Sequence, residues 1–152
     1  MNVHIAPLPA GAVGELLTLQ RAAYVTEARL YDDVRLPALA QTLDDLVEEL
    51  RTSRCLAVVA GSRLVGAVRT HERTDVLHVG RLTVAPDLQG RSIGTRLLLA
   101  AEAGTRMTRA TLFTGSRSEA NLRLYRRHGY AESHREQLHP GVELVHLAKE
   151  LR

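Results

Sequence analysis

One cysteine stands in a chain of 152 residues, which leaves no internal disulfide and predicts a reducing compartment. Cys55 heads an apolar run and reads as a space filler. Lysine is almost missing: nineteen of the twenty basic residues are arginine and Lys149 stands alone near the end, so lysine is removed as a catalytic base. Aromatics make up 3% of the chain and hardly interleave with the arginines, and the net charge of +3 is modest, which argues against a dedicated nucleic-acid surface. No apolar run is long enough to cross a bilayer and no leader pattern opens the chain. A soluble, cytoplasmic protein without a membrane partner is therefore expected. The seven histidines never fall at helical i, i+4 spacing or beside paired cysteines, so no metal is expected. With no repeat, linker or low-complexity tract, residues 1–152 read as one domain, large enough to bury a core without disulfides.

The apolar periodicity alternates between strand and helix. Residues 3–5 begin a strand, and Val13, Leu16, Leu17, Gln20 and Tyr24 recur at helical spacing. Leu43, Leu46, Val47 and Leu50 do so again behind Thr42, with Asp45 three residues on as a capping box. Residues 55–60 and 64–70 read as strands joined across Gly61-Ser62. In the next strand, residues 76–84, the alternation carries Leu77 and Val79 and then Leu82 and Val84, a change of phase near Gly80 that one inserted residue would produce. A helix over 92–104, a strand through 111–114, a second helix and a hairpin of 131–138 and 142–147 around His139-Pro-Gly141 complete the chain.

The run Leu82-Thr-Val-Ala-Pro-Asp-Leu-Gln-Gly-Arg-Ser-Ile-Gly-Thr-Arg-Leu-Leu98 is a strand that stops at a proline, turns through glycines and becomes a helix. Such a turn aims free backbone N–H groups and the positive end of a helix dipole at an anion. It has neither the Gly-Lys-Ser/Thr ending of a P-loop nor the Gly-x-Gly-x-x-Gly of a dinucleotide fold. Further on, Asn121-Leu-Arg-Leu-Tyr125-Arg-Arg-His-Gly129-Tyr130 puts Asn121 and Tyr125 on one helix face, with Gly129 where a left-handed cap would end the helix.

Gln89-Gly-Arg-Ser92-Ile-Gly94 resembles motif A of the GNAT superfamily of acyl-CoA-dependent N-acetyltransferases, and the run from Asn121 to Tyr130 resembles its motif B. The chain departs from motif A in carrying Ser92 where the family has its first glycine, and serine tolerates a positive φ less well. The resemblance implies an α/β (α+β) fold: a mixed, mostly antiparallel sheet of about seven strands, splayed between the fourth and fifth, with about four helices. It implies acetyl-CoA as the acyl donor. The backbone of Leu82, Thr83 and Val84 would pair with the pantetheine arm, and Gln89, Gly90, Arg91, Ser92, Ile93, Gly94 and Thr95 would wrap the pyrophosphate. Arg96, inside the same turn, could also meet phosphate. Asn121 would hydrogen-bond the cofactor or its surroundings.

The implied reaction has an amine attack the thioester while the departing thiolate is protonated, a task for Tyr125 as a neutral donor at pH 7. Counting back from Gln89 to the position of the family's strand-borne base gives His78, with Glu27 and Glu72 as substitutes; a histidine on the sheet surface is the other reading of His78. Tyr24, Glu27 and Tyr31 lie in the region that covers the acceptor in the family, and acidic and aromatic side chains suit a cationic amine. The expected activity is N-acetylation of a small primary amine. The alternatives are a protein amino group, an aminoacyl-tRNA as for toxin-like members, or a non-catalytic acyl-CoA-binding module. Among macromolecular partners, the only one expected is a second copy of the chain.

Overall fold

In the computed structural model, which describes residues 3–152, β1 (Val3–Pro7) leads into α1 (Val13–Tyr31), α2 (Pro37–Ala40) and α3 (Leu43–Glu49). Then come β2 (Arg54–Ala60), β3 (Arg63–Arg73), β4 (Val76–Val84), a 3-10 turn (Pro86–Leu88) and α4 (Ile93–Ala103). The chain ends with β5 (Arg109–Gly115), α5 (Glu119–Arg127), β6 (Ala131–His139) and β7 (Val142–Glu150). The strands form one sheet in the order β1-β2-β3-β4-β5-β7-β6. Every neighbouring pair is antiparallel except β4 and β5. This is the expected mixed sheet, with five α-helices in place of about four. The additional helix is the single turn of α2, which periodicity cannot register at four residues and which Pro37 starts by fixing φ at its first position.

Two local signals act as the sequence implies. Asp45 N–H donates to Thr42 Oγ1 at 3.1 Å and Thr42 N–H donates back to the Asp45 carboxylate at 3.3 Å, so α3 starts with a closed capping box. At the end of α5, Tyr130 N–H donates to the Tyr125 carbonyl and Gly129 N–H to that of Arg126, with Gly129 at φ +94°. This is the two-bond closure of a Schellman motif, which needs a left-handed residue at that place.

The slip in β4 is real, and it sits one residue later than the sequence suggests. Ala67 faces Thr83 and Arg69 faces Gly80, so Arg81 and Leu82 together oppose Val68. Arg81 takes the left-handed conformation, at φ +51°, while Gly80 does not. The slip restores Leu82 and Val84 to the face of Leu77 and Val79. That face packs on α4: Val84 pairs with Gly66, whose missing side chain makes room for Ile93 and Leu97. Leu16, Leu46, Leu77, Leu97, Leu98 and Leu147 are among the fully buried side chains of the core. Each such leucine contributes about 1.5–3 kcal/mol by leaving water. Cys55 packs against the same core, and burial pushes its thiol up to about 11, so it stays protonated and inert.

Candidate active site

β4 and β5 pair only at Val76–Arg109, Leu77–Ala110 and His78–Thr111. Beyond His78 the strands part, and the slot between them opens into a cavity of about 1000 Å³. Its walls carry Val79, Gly80, Arg81 and Leu82 from β4, Thr111 to Gly115 from β5, Asn121 and Tyr125 from α5, and Tyr24, Glu27 and Tyr31 from α1. Because β4 is unpaired on this side past the split, its backbone donors and acceptors at Leu82 to Val84 have no strand partner from β5. Thr83 itself is buried, and its hydroxyl donates to the Ala67 carbonyl at 3.3 Å.

Past the end of β4, residues 89–92 form an exposed turn before α4. Gln89 bonds back to the Val84 carbonyl at 3.4 Å, Gly90 takes φ +79° and Ser92, the residue before the helix, takes φ +66°. Serine thus adopts the left-handed conformation that its chemistry disfavours, at a cost on the order of 1–2 kcal/mol. No side chain caps this helix, whose first bond runs from Arg96 N–H to the Ser92 carbonyl at 3.0 Å. The N–H groups of Ile93, Gly94 and Thr95 precede that bond and face outward, as an anion site requires. A side chain at Gly94 would meet Val84, Leu124 and Leu82 only at ordinary contact distances, so protein packing does not dictate glycine there.

The inner end of the slot holds Tyr125. Its ring is buried edge-on to Tyr130 at 6.1 Å, while its hydroxyl makes no hydrogen bond among the described residues. Burial, followed by the charges of Tyr24 and Glu27, raises its pKa far above the ordinary phenol value, so the hydroxyl keeps its proton at neutral pH. Asn121 lies one turn earlier and donates to Thr114 Oγ1 at 3.2 Å. Glu27 is held by the Ser118 hydroxyl. Half-buried Tyr24 has its pKa raised by burial against the opposing charge of Arg81. Tyr31 presents its ring to the cavity, but its hydroxyl accepts Arg117 N–H at 2.8 Å and presses on Gly115, where no side chain would fit. His78 stands at another part of the wall, stacked on His71 with ring centroids 4.7 Å apart; burial and then the charges of His71 and Arg73 lower its pKa. Glu72 is tied to Thr105 Oγ1 at 2.7 Å.

Comparison with known families matches residues 28–151 to the acetyltransferase (GNAT) domain. The chain belongs to the GNAT acetyltransferases. A comparison with curated protein sequences finds no match. Among solved structures the fold is similar to the PaiA N-acetyltransferase of Thermoplasma acidophilum in complex with coenzyme A, at a TM-score of 0.77, 19% identity and 99% coverage of both chains. It is similar too to the ribosomal-protein-S18-alanine N-acetyltransferase of Escherichia coli, at a TM-score of 0.81 and 14% identity, covering 99% of this chain and 94% of that one. The smu.2055 protein of Streptococcus mutans gives a TM-score of 0.83 at 15% identity, covering 98% of this chain and 99% of that one.

In this acetyltransferase the sequence reading missed two arginines that reach the cavity. Arg69 is buried and pairs with Glu49 of α3, and its guanidinium also donates to Gln20 Oε1 at 2.9 Å. Fully buried Gln20 in turn donates to the Ala38 carbonyl at 2.7 Å and to Gln41 at 3.0 Å, fastening α1, α2 and β3 together. Arg81 has no carboxylate partner among the described residues, and its Nε is buried without an acceptor. An orphaned buried donor of this kind costs about 1–3 kcal/mol. The sequence did flag the β4 slip that contains Arg81, but only the pairing register identifies which residue occupies it. No helix among the described residues is long and apolar enough to cross a membrane, and none of their His, Cys, Asp and Glu side chains cluster as a metal site.

Proposed function

We propose that the protein transfers an acetyl group from acetyl-CoA to a small primary amine, with Tyr125 donating a proton toward the leaving sulfur. The observation that carries this reading is a buried tyrosine whose hydroxyl makes no hydrogen bond among the described residues, in the wall of the slot that opens where β4 and β5 part. Acetyl-CoA supplies the activated thioester: the amide C–N bond forms, the C–S bond breaks and coenzyme A leaves as the thiol. The likeness in fold to the Thermoplasma protein solved with coenzyme A supports this donor. Gln89 to Thr95 are the residues to hold its pyrophosphate. The open edge of Leu82 to Val84 is suited to pair with the pantetheine arm, and Asn121 to steady it.

The elevated pKa of Tyr125 constrains the proton balance. A phenol above 10 gives its proton to a thiolate near 8.5 only if that proton is replaced as it leaves. The proton lost by the attacking nitrogen supplies the replacement, collected by a carboxylate, an imidazole or a water between them. Glu27 is the favoured collector because its charge is felt at the Tyr125 hydroxyl. His78, its neutral form favoured by burial, is the second candidate. Thiol release from acetyl-CoA against a panel of amines tests the reading. Turnover with a small amine supports it; neither turnover nor stabilisation by acetyl-CoA overturns it.

A further inference from the structure

Arg81 is the feature of this cavity that acetyl transfer leaves unexplained. It occupies the left-handed position of the β4 slip at φ +51°, where glycine would sit without strain. A bulky residue kept in such a conformation points to a use for its side chain. Its Nε is buried with no acceptor, and the guanidinium lines the cavity beside Tyr24. The carboxylates nearby are engaged elsewhere. Glu49 is paired with Arg69, and Asp45, which borders the small hollow on the far side of Arg81, closes the capping box of α3. Glu27, held by Ser118, lines the same cavity, and its charge is felt at both Tyr24 and Tyr125. The cavity lining around Tyr24 therefore has two poles: the Glu27 carboxylate, whose charge is felt at the proposed acid, and the Arg81 guanidinium, which has no carboxylate partner among the described residues.

We infer that the acceptor is a zwitterionic amine, an amino acid or close analogue, whose amino group lies by Glu27 and Tyr125 and whose carboxylate is bound by Arg81. The inference rests on the reading of the protein as an acetyltransferase and narrows its substrate. A carboxylate gives the guanidinium, whose Nε is buried without an acceptor, charge-assisted, planar hydrogen bonds, and a simple amine leaves that Nε unpaired. The ammonium group first loses one proton to solvent; its neutral nitrogen then bonds to the acetyl carbon, the C–S bond breaks, and the second proton lost by the nitrogen balances the one delivered to the sulfur, so coenzyme A leaves as the thiol with the carboxylate unchanged in the product.

The test uses the full chain, acetyl-CoA and the common amino acids, each beside its α-carboxamide, with kcat/KM read from thiol release. At least one amino acid is expected to exceed its amide by about 100-fold or more, since a site built to pair a charged group discriminates strongly against its absence. Arg81→Gly removes the guanidinium while suiting the backbone, and is expected to bring that ratio close to one, with Arg81→Lys in between. Amides accepted as well as acids, or a ratio unmoved by Arg81→Gly, overturns the inference and leaves acetyl transfer standing. If no acceptor turns over, calorimetry with N-acetyl amino acids and their amides in the presence of coenzyme A reads the same preference. Equal or absent binding of the two overturns it, and a melting shift with acetyl-CoA alone reports separately on the enzyme reading.

Discussion

Tyr125 joins two properties in one side chain, a ring fixed by burial and a hydroxyl free for a ligand. Tyr125→Phe keeps the ring, so acetyl-CoA binding is expected to survive while kcat falls by roughly 10²- to 10⁴-fold, as for loss of a general acid. Titration of binding beside steady-state kinetics checks this; parallel loss of both makes the ring a packing element. The proton collector separates by pH. Burial lowers the His78 pKa, so a profile governed by His78 has an acidic limb that bends below the ordinary histidine value of about 6.5. Neutral imidazole then predominates at pH 7. His78→Gln flattens that limb if His78 collects the proton, whereas Glu27→Gln depresses the plateau if Glu27 does. Gln20 marks the structural side of the same cavity. Gln20→Leu strips the Ala38 carbonyl and the Arg69 guanidinium of a partner. A loss of about 2–3 kcal/mol, read from denaturant unfolding, is expected from two newly unsatisfied buried groups.

At the scale of elements, the turn into α4 and the end of α5 meet the same left-handed backbone requirement with different residues, Ser92 and Gly129. Gly129 is free to take φ +94°, and alanine there brings both strain and a contact with the Lys149 side chain at 3.4 Å. Gly129→Ala is expected to lower stability by at least about 1 kcal/mol, since alanine is disfavoured wherever φ is positive. Because the cap fixes where α5 ends, two turns from Asn121, kcat should fall with it. The turn before α4 is the proposed pyrophosphate site. Gly94→Glu sets a negative charge among its N–H groups and is expected to abolish acetyl-CoA binding with the fold retained, which calorimetry and circular dichroism together resolve.

For the whole molecule, the split between β4 and β5 interrupts the sheet, and the cavity removes packing where a core would otherwise continue. A ligand that fills such a slot and binds only the folded state adds RT ln(1 + [L]/Kd), about 2.7 kcal/mol at one hundred times Kd. Acetyl-CoA is therefore expected to raise Tm by several degrees and ATP to leave it unchanged. No shift with acetyl-CoA or coenzyme A would count against the proposed donor.

The sequence by itself determined the elements, apart from the single turn of α2, and their order, because each is written in local chemistry. Thr42 and Asp45 cap α3, Gly129 closes α5, and Gly90 after Pro86 helps turn β4 into α4. Even the β4 slip is legible, since pairing the wrong face would turn Leu82 and Val84 away from α4. Only the tertiary structure decided which side chains meet in the cavity. Glu27 reaches Ser118 across 91 positions of sequence, and Gln20 reaches Arg69 across 49. Such meetings depend on how far β4 and β5 diverge and on which residue takes the left-handed step in β4. No periodicity encodes either one. Arg81 looks unremarkable in the chain, and it becomes a candidate ligand only when its Nε is found buried without an acceptor and the surrounding carboxylates are found to be occupied.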